Sequence, residues 1–267
     1  MRVAIAHAEW MPGRAATLAR LLGQLGLSAT VFASHVREPA VVWARRVWEW
    51  VAQQDESVAV LNDDILVCDG FARACAQVAS VAPGELVSLH VQAPAAVAVA
   101  AGGARWARCY WLSGPAYLMP PDVARALLDY WAGLPWRAAA HMNEDNVAIQ
   151  WAWERQRAIL ATLPALTTHD VSTPSSLGYD AHPYRVPSVP AVPNPPPWPA
   201  PPEDAPYVDN PWAPATYLEA MRAGLSSEGG LCAACVSRPA VVAFGRVPTC
   251  LQCSTELALT MMRRAMR

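Results

Sequence analysis

The chain has 267 residues, of which 54% are hydrophobic and 16% charged, and its net charge is -2. This composition excludes a disordered protein, because disorder requires few apolar residues and many charges. The small net charge also excludes a global electrostatic attraction to nucleic acid or to an anionic membrane. We therefore expect one large core of about 180 to 200 residues and a small appendage.

Short apolar runs alternate with helical patterns along the first 90 residues. Strands of β-branched and aliphatic residues are predicted at 3–6, 29–33, 57–61 and 85–90, and helices at 18–25, 41–51 and 71–81. Strands that alternate with helices of this length are typical of a mostly parallel sheet with flanking helices. The sequence therefore predicts an α/β domain.

The pattern becomes less regular after residue 100. We predict a strand at 109–113, a helix at 121–131 that begins with proline, a helix at 143–157, and an apolar segment at 159–166 followed by a polar loop at 167–178. These elements extend the same domain.

A proline-rich connector follows at residues 183–214, which contain 13 prolines. Proline denies the backbone the hydrogen bonds of helices and sheets and favours an extended conformation. The connector is either a stiff spacer or a segment that wraps over the first domain with Trp198, Tyr207 and Trp212 as anchors. It divides the chain into a domain at 1–182, the connector, and a module at 215–267.

Two CxxC pairs, Cys232 with Cys235 and Cys250 with Cys253, lie in the C-terminal module with 14 residues between them. In a reducing compartment this arrangement favours a metal over disulfides, and four thiolates suit tetrahedral zinc. Residues 239–247 can form a hairpin between the pairs. We therefore predict a structural zinc ribbon.

The C-terminal segment 232–267 is locally basic, since it has five arginines and one acidic residue, Glu256. Such an end can contact nucleic-acid phosphates. The alternative is a solvated helix tail that follows the zinc site.

An acidic triplet, Asn62, Asp63 and Asp64, ends the apolar strand that begins at residue 57. Ligands of open α/β sheets bind at the carboxyl ends of strands, where carboxylates can hold Mn²⁺ or Mg²⁺ against a diphosphate. The alternative is a turn or helix cap without catalytic function.

Four other segments occur with this triplet, namely the first strand and its loop at 3–14, a turn at 111–117, an acidic pair within 141–146, and a polar loop with histidine at 164–178. In this order and spacing, the five segments together resemble the GT-A class of glycosyltransferases over residues 1–180. The resemblance implies a GT-A-like, Rossmann-like fold and a metal-dependent enzyme.

On the donor side, the resemblance implies that Asp64 and His169 hold the metal ion. It gives Asp63 a contact to ribose or diphosphate, and Arg14 a contact to the diphosphate. Asn62 also belongs to the donor-binding residues, but it stands where the class has an acidic residue, which leaves Asp64 as the main ligand. The alternatives are a hydrogen-bonded loop histidine at His169 and a solvent-facing helix residue at Arg14.

On the acceptor side, the resemblance implies that Trp111, Ser113 and Gly114 contact the acceptor. It makes Asp145, ahead of Glu144, the general base that deprotonates the acceptor hydroxyl. The alternative is that the two acids only favour the positive end of a helix dipole.

The leading hypothesis is transfer of a sugar from a nucleotide-sugar donor, a UDP-sugar, to a hydroxyl on DNA, a protein or a glycan. A phage-type enzyme that modifies DNA bases or virion proteins fits this hypothesis. The alternative is an adaptor whose zinc module binds nucleic acid or protein while the α/β domain is a scaffold. We expect a cytoplasmic protein that binds no membrane. The first residues have the pattern of a β-strand and not that of a secretory signal peptide, and no stretch reaches the roughly 20 apolar residues that span a bilayer.

Overall fold

The computed structural model describes residues 1–37, 40–93, 95–110, 112–134, 144–174 and 187–208, and two short strands near the C-terminus. The helices are α1 (Arg14–Leu25), α2 (Ala40–Val51), α3 (Phe71–Val81), α4 (Ala95–Ala101), α5 (Pro121–Gly133) and α6 (Glu144–Glu154). The strands are β1 (Arg2–His7), β2 (Thr30–Ala33), β3 (Val58–Asn62), β4 (Ile65–Val67), β5 (Val87–Ser88), β6 (Trp106–Cys109), β7 (Ala116–Met119), β8 (Ile159–Thr162), β9 (Thr167–His169), β10 (Val242–Phe244) and β11 (Val247–Thr249).

Seven strands form a central sheet in the order β2-β1-β3-β7-β5-β8-β6. Strands β2, β1, β3, β5 and β8 run in one direction, and β7 and β6 run in the other. The predicted α/β architecture with a mostly parallel central sheet is confirmed. Strands β4 and β9 pair separately as an antiparallel ribbon beside the main sheet.

One predicted strand was misplaced, and three strands were not predicted: β4, β7, and β9, which lies at the start of the predicted polar loop at 167–178. The strand predicted at 109–113 lies at Trp106–Cys109, and the sequence analysis missed β7 at Ala116–Met119. Strand β7 pairs antiparallel with both β3 and β5 and therefore separates them. All four of its residues are buried, so it shows no alternation of polar and apolar side chains that would identify a strand.

Both faces of the sheet are covered by apolar side chains. In β3, Val58 and Val60 pack into one buried cluster with Trp48 of α2, whereas Ala59 and Leu61 pack into a second cluster on the opposite face. This alternation follows from the two-residue period of a strand. The double burial explains why β3 reads as an unbroken apolar run and why its polar end is conspicuous.

The connector wraps over the domain along its described part, residues 187–208. Trp198 is 2% exposed, and its indole nitrogen donates a hydrogen bond to the Arg105 carbonyl at 3.0 Å. The backbone of Arg108 in β6 exchanges hydrogen bonds with Pro206 and Val208, each 2.8 Å long. These contacts favour the wrapping alternative over the spacer.

Strands β10 and β11 form an antiparallel hairpin between the two CxxC pairs. The four cysteines of those pairs, Cys232, Cys235, Cys250 and Cys253, lie outside the described residues, so the zinc ribbon stays a prediction. Among the helices of the described ranges, none has the length and apolar character required to span a bilayer.

Candidate functional site

The acidic triplet lies at the carboxyl end of β3, as the sequence predicts. The backbone nitrogen of Asp63 donates to the Ala6 carbonyl of β1 at 3.0 Å, and the nitrogen of Asn62 donates to the Pro115 carbonyl at 2.9 Å. Asp63 and Asp64 are only 2% and 6% exposed. The triplet is therefore fixed between β1 and the turn that precedes β7.

Arg14, the first residue of α1, connects both carboxylates. Its Nη1 donates to Asp63 Oδ1, and its Nη2 donates to Asp64 Oδ2 at 3.1 Å and to the Pro174 carbonyl at 2.9 Å. The side chain is 2% exposed, so Arg14 is not the solvent-facing residue of the alternative reading. Its guanidinium holds the acidic triplet and the loop after β9 together.

His7, at the end of β1, gives Asp63 a second partner. The distance from His7 Nδ1 to Asp63 Oδ2 is 2.7 Å, and the Ala8 nitrogen donates to the same oxygen at 3.0 Å. The pKa of Asp63 is nevertheless raised, because burial outweighs the attraction of Arg14 and the hydrogen bond from His7. Both carboxylate oxygens of Asp63 thus have partners within the protein.

His169 faces Asp64 across the ribbon of β4 and β9. Its Nδ1 lies 3.7 Å from Asp64 Oδ2, and the backbones are tied by a 2.8 Å hydrogen bond from the Asp170 nitrogen to the Asp64 carbonyl. Burial alone would raise the pKa of Asp64, but the adjacent His169 ring and Arg14 guanidinium outweigh it and lower the pKa to about 2. Asp64 is therefore ionised at any physiological pH.

The predicted acceptor turn lies against the acidic pair at the start of α6. A Cβ atom on Gly114 would lie 3.3 Å from Glu144 Oε1 and 3.8 Å from Asp145 Oδ2. Since the next residue of this turn, Pro115, accepts the hydrogen bond from Asn62, the turn links the two acidic groups. The residues predicted for the donor side and those predicted for the acceptor side therefore lie next to each other at one edge of the sheet.

The two acids of α6 differ in their hydrogen bonds. Asp145 Oδ1 accepts a hydrogen bond from the Asn146 nitrogen at 2.8 Å, whereas Glu144 Oε2 is buried and has no partner in the described part of the chain. Burial raises the pKa of both groups, and the proximity of Asp145 raises that of Glu144 further. Of the two carboxyl groups, Glu144 is therefore the one with an oxygen that the described residues leave unpaired.

Several buried polar atoms along this edge have no hydrogen-bond partner within the ranges that the structure describes. They are Arg14 Nε, Asn62 Oδ1, Ser113 Oγ, Glu144 Oε2 and His169 Nδ1, and further atoms of this kind, such as Thr162 Oγ1, lie elsewhere in the domain. Buried polar atoms are nearly always paired in native proteins, so each unpaired one requires an explanation.

The structure places most of the predicted site residues in two adjoining groups. One contact cluster contains Arg14, Asp63, Asp64 and His169, and Asn62 directly precedes Asp63 in the chain. The adjoining group contains Ser113, Gly114, Glu144 and Asp145. Trp111 lies outside the described residues. Neither His7 nor His90 was predicted as a site residue. Both stand at or just beyond the end of a strand, and that position is the signal that could have found them.

No group of three or more histidine, cysteine, aspartate or glutamate side chains is placed to hold a metal ion among the residues that the structure describes. Asp64 and His169 carry atoms of types that bind divalent cations, a carboxylate oxygen and an imidazole nitrogen 3.7 Å apart. The same Asp64 oxygen accepts the 3.1 Å hydrogen bond from Arg14, so in this structure it belongs to an ion-paired cluster.

Comparisons with known proteins give remote likenesses only. No family model matches the chain, and no curated protein matches it. The structural neighbours include a glycosyltransferase involved in the glycosylation of the major capsid of PBCV-1, with a TM-score of 0.39, 13% identity, and coverage of 68% of this chain and 98% of that one. They also include a protein from STIV, with a TM-score of 0.39, 11% identity, and coverage of 63% and 84% respectively.

Proposed function

We propose that this chain transfers a sugar from a nucleotide-sugar donor, a UDP-sugar, to a hydroxyl acceptor on DNA, a protein or a glycan. The observation that carries the proposal is the set of buried atoms at Asn62, Ser113 and Glu144 that have no hydrogen-bond partner among the described residues. Each unpaired buried polar group costs about 1–3 kcal/mol. Because sugar hydroxyls both donate and accept hydrogen bonds, a bound sugar would recover this free energy.

The pKa values support two different roles along this edge. The pKa of Asp64 is lowered to about 2, whereas that of Glu144 is raised. Carboxyl groups whose surroundings shift their pKa values in opposite directions are typical of sites that combine electrostatic stabilisation with proton transfer. Asp64 supplies a permanent negative charge, and Glu144 can exchange a proton near neutral pH.

On the donor side, Asp64 and His169 would hold Mn²⁺ or Mg²⁺. Such an ion, when bound, neutralises the charge that develops on the departing nucleotide diphosphate. Asn62 and Asp63 would contact the ribose or diphosphate. Arg14 keeps the triplet in place through its two carboxylate contacts, and its positive charge attracts the diphosphate.

On the acceptor side, Glu144 Oε2 would take the proton of the acceptor hydroxyl. The acceptor oxygen then forms a bond to the anomeric carbon while the bond from that carbon to the diphosphate oxygen breaks. A base with a raised pKa suits this step, because it is most effective when its pKa lies near the working pH. Ser113 and Gly114 would orient the acceptor beside Glu144.

A nucleotide-release assay with a panel of sugar nucleotides and Mn²⁺ tests the proposal. We expect turnover by the wild type and a loss of at least about 100-fold in Asp64→Ala and in Glu144→Gln. Asp55→Ala is the matched control, because the Asp55 side chain is 83% exposed and pairs only with Arg2 in the described contacts. Turnover in Asp64→Ala equal to that of the control would contradict the proposed role of Asp64.

A further inference from the structure

The turn that follows β9, residues 170–174, lies against the acidic triplet. Its first residue, Asp170, is buried and donates its backbone nitrogen to the Asp64 carbonyl at 2.8 Å. The carbonyl of its last residue, Pro174, accepts a 2.9 Å hydrogen bond from Arg14 Nη2. Because the same nitrogen of Arg14 also donates to Asp64, these contacts form a closed ring. The turn is therefore joined to the triplet at both of its ends.

The carboxylate of Asp170 folds this turn. Its Oδ1 accepts hydrogen bonds from the backbone nitrogen of Ser172 at 3.0 Å and from the Ser172 hydroxyl at 2.5 Å. Its Oδ2 accepts from the Thr173 hydroxyl at 2.8 Å, and its backbone carbonyl accepts from the Thr173 nitrogen at 3.1 Å. Aspartate commonly folds turns by accepting a hydrogen bond from the backbone two residues further on. These bonds set the path of the chain up to Pro174.

Helix α1 contacts the same turn a second time through Arg20. The Arg20 Nη2 donates to Asp170 Oδ2, so Arg14 and Arg20 of one helix hold the two ends of the turn. The Arg20 side chain is 41% exposed, and ion pairs of exposed side chains contribute little to stability. We therefore assign the shape of the turn to the hydrogen bonds within it, and only a minor part to Arg20.

The Pro174 carbonyl completes the set of acceptors around Arg14. Asp63 and Asp64 are neighbours in the chain, and two acceptors on one segment leave a planar guanidinium free to swing about the line that joins them. The Pro174 carbonyl lies on a different segment, so a bond to it removes this freedom. The orientation of the Arg14 plane thus depends on where the turn places that carbonyl.

We propose that Asp170 is a positioning residue for Arg14. By folding the turn, Asp170 presents the Pro174 carbonyl to Arg14 and so holds the guanidinium across Asp63 and Asp64. The orientation of Arg14 follows from the contacts of the turn alone. The consequence for ligand binding rests on the proposed function, in which the charge of Arg14 attracts the donor diphosphate.

The first test follows the Arg14 guanidinium in nitrogen-detected NMR spectra of arginine side chains. In the wild type, Nη1 and Nη2 have different acceptors, so we expect two separate signals. Asp170→Ala removes the acceptors that fold the turn. Exchange between the two signals should then become about tenfold faster, because Arg14 loses one hydrogen bond of a charged group.

The control for this test is Asp55→Ala, which removes an exposed arginine partner far from the turn in sequence and should leave the Arg14 signals unchanged. Averaged Arg14 signals in the wild type would overturn the proposal. Unchanged exchange in folded Asp170→Ala would overturn it as well.

Two further variants separate the turn from the ion pair. Asp170→Asn keeps one oxygen that can accept from Ser172, and it should retain part of the slow exchange. Arg20→Gln removes the ion pair but leaves the bonds from Ser172 and Thr173, so its exchange should stay close to that of the wild type. If Arg20→Gln speeds the exchange of Arg14 as much as Asp170→Ala does, the ion pair holds Arg14 and the proposal is wrong.

Calorimetric titration with uridine diphosphate tests the consequence for binding. We expect Asp170→Ala to bind it about tenfold more weakly than the wild type, with no further loss when Asp170→Ala is added to Arg14→Gln. An equal loss in both backgrounds would show that Asp170 does not act through Arg14. A wild type with separate Arg14 signals that binds no uridine diphosphate would contradict the proposed function and leave the role of Asp170 in place.

Discussion

At the residue scale, Arg14 is the side chain on which the acidic triplet depends most. Its guanidinium is buried and contacts Asp63, Asp64 and the Pro174 carbonyl. Removal of one member of a buried ion cluster leaves the others buried without compensation, which costs about 3–5 kcal/mol. Arg14 therefore stabilises the folded site. A contact between Arg14 and a diphosphate would be a second role.

We predict that Arg14→Gln lowers the free energy of unfolding by about 3–5 kcal/mol in urea denaturation. The control is Arg45→Gln, because the Arg45 side chain is 65% exposed and forms only a surface pair with Glu49 among the contacts described. That control should change stability by less than about 1 kcal/mol. Equal effects of the two substitutions would contradict the structural role of Arg14.

The raised pKa of Glu144 predicts a pH dependence of stability. A carboxyl group whose folded-state pKa lies above its unfolded value binds its proton more tightly in the folded protein, so its contribution falls as pH rises through that interval. Glutamine carries no charge at any pH. Glu144→Gln should therefore gain stability relative to the wild type between about pH 5 and about pH 8 in urea unfolding. A difference between the two proteins that stays constant with pH would contradict the raised pKa.

At the element scale, the sequence predicted the strands and helices whose patterns are local. The helix at 71–81 has the predicted ends, and β1, β2 and β3 lie within about two residues of the predicted runs. Strand β7 was missed because its position between β3 and β5 is set by pairing between distant segments. Nothing within Ala116–Met119 signals that arrangement.

The same distinction applies to the site. Asn62, Asp63 and Asp64 were predictable because they end a buried strand, and Glu144 because it begins a helix. The contacts of Arg14 with these carboxylates and of His90 with His169 were not predictable, since each joins segments at least 49 residues apart in sequence. The choice between Glu144 and Asp145 as the base likewise depends on a contact of the folded helix. Asp145 accepts a hydrogen bond from the Asn146 nitrogen, whereas Glu144 Oε2 has no partner among the described residues.

The connector gives a prediction at this scale. Trp198 is 2% exposed and packs beneath Arg105, whose guanidinium lies 4.4 Å from the ring. Trp198→Ala should lower the free energy of unfolding by about 3–5 kcal/mol. Val192→Ala in the same segment is the control, because Val192 is 40% exposed and should cost far less. Equal urea midpoints for both variants would show that the connector does not stabilise the domain.

At the scale of the whole molecule, the two CxxC pairs predict a separate metal centre. The hairpin of β10 and β11 lies between them in the chain. We predict about one zinc ion per chain by elemental analysis, lost in Cys232→Ala and retained in Cys68→Ala. Zinc-free wild-type protein after expression with added zinc would contradict the prediction.

The proposed function requires that the edge formed by Asp64, His169 and Glu144 binds a sugar-bearing diphosphate. Thermal-shift measurement with a panel of nucleotide sugars, with and without Mn²⁺, tests it most directly, because a ligand that binds only the folded state raises the melting temperature. We predict that a UDP-sugar with Mn²⁺ stabilises the wild type and Asp55→Ala but not Asp64→Ala. A panel in which no nucleotide sugar shifts the wild type, or in which Asp64→Ala shifts equally, would contradict the claim.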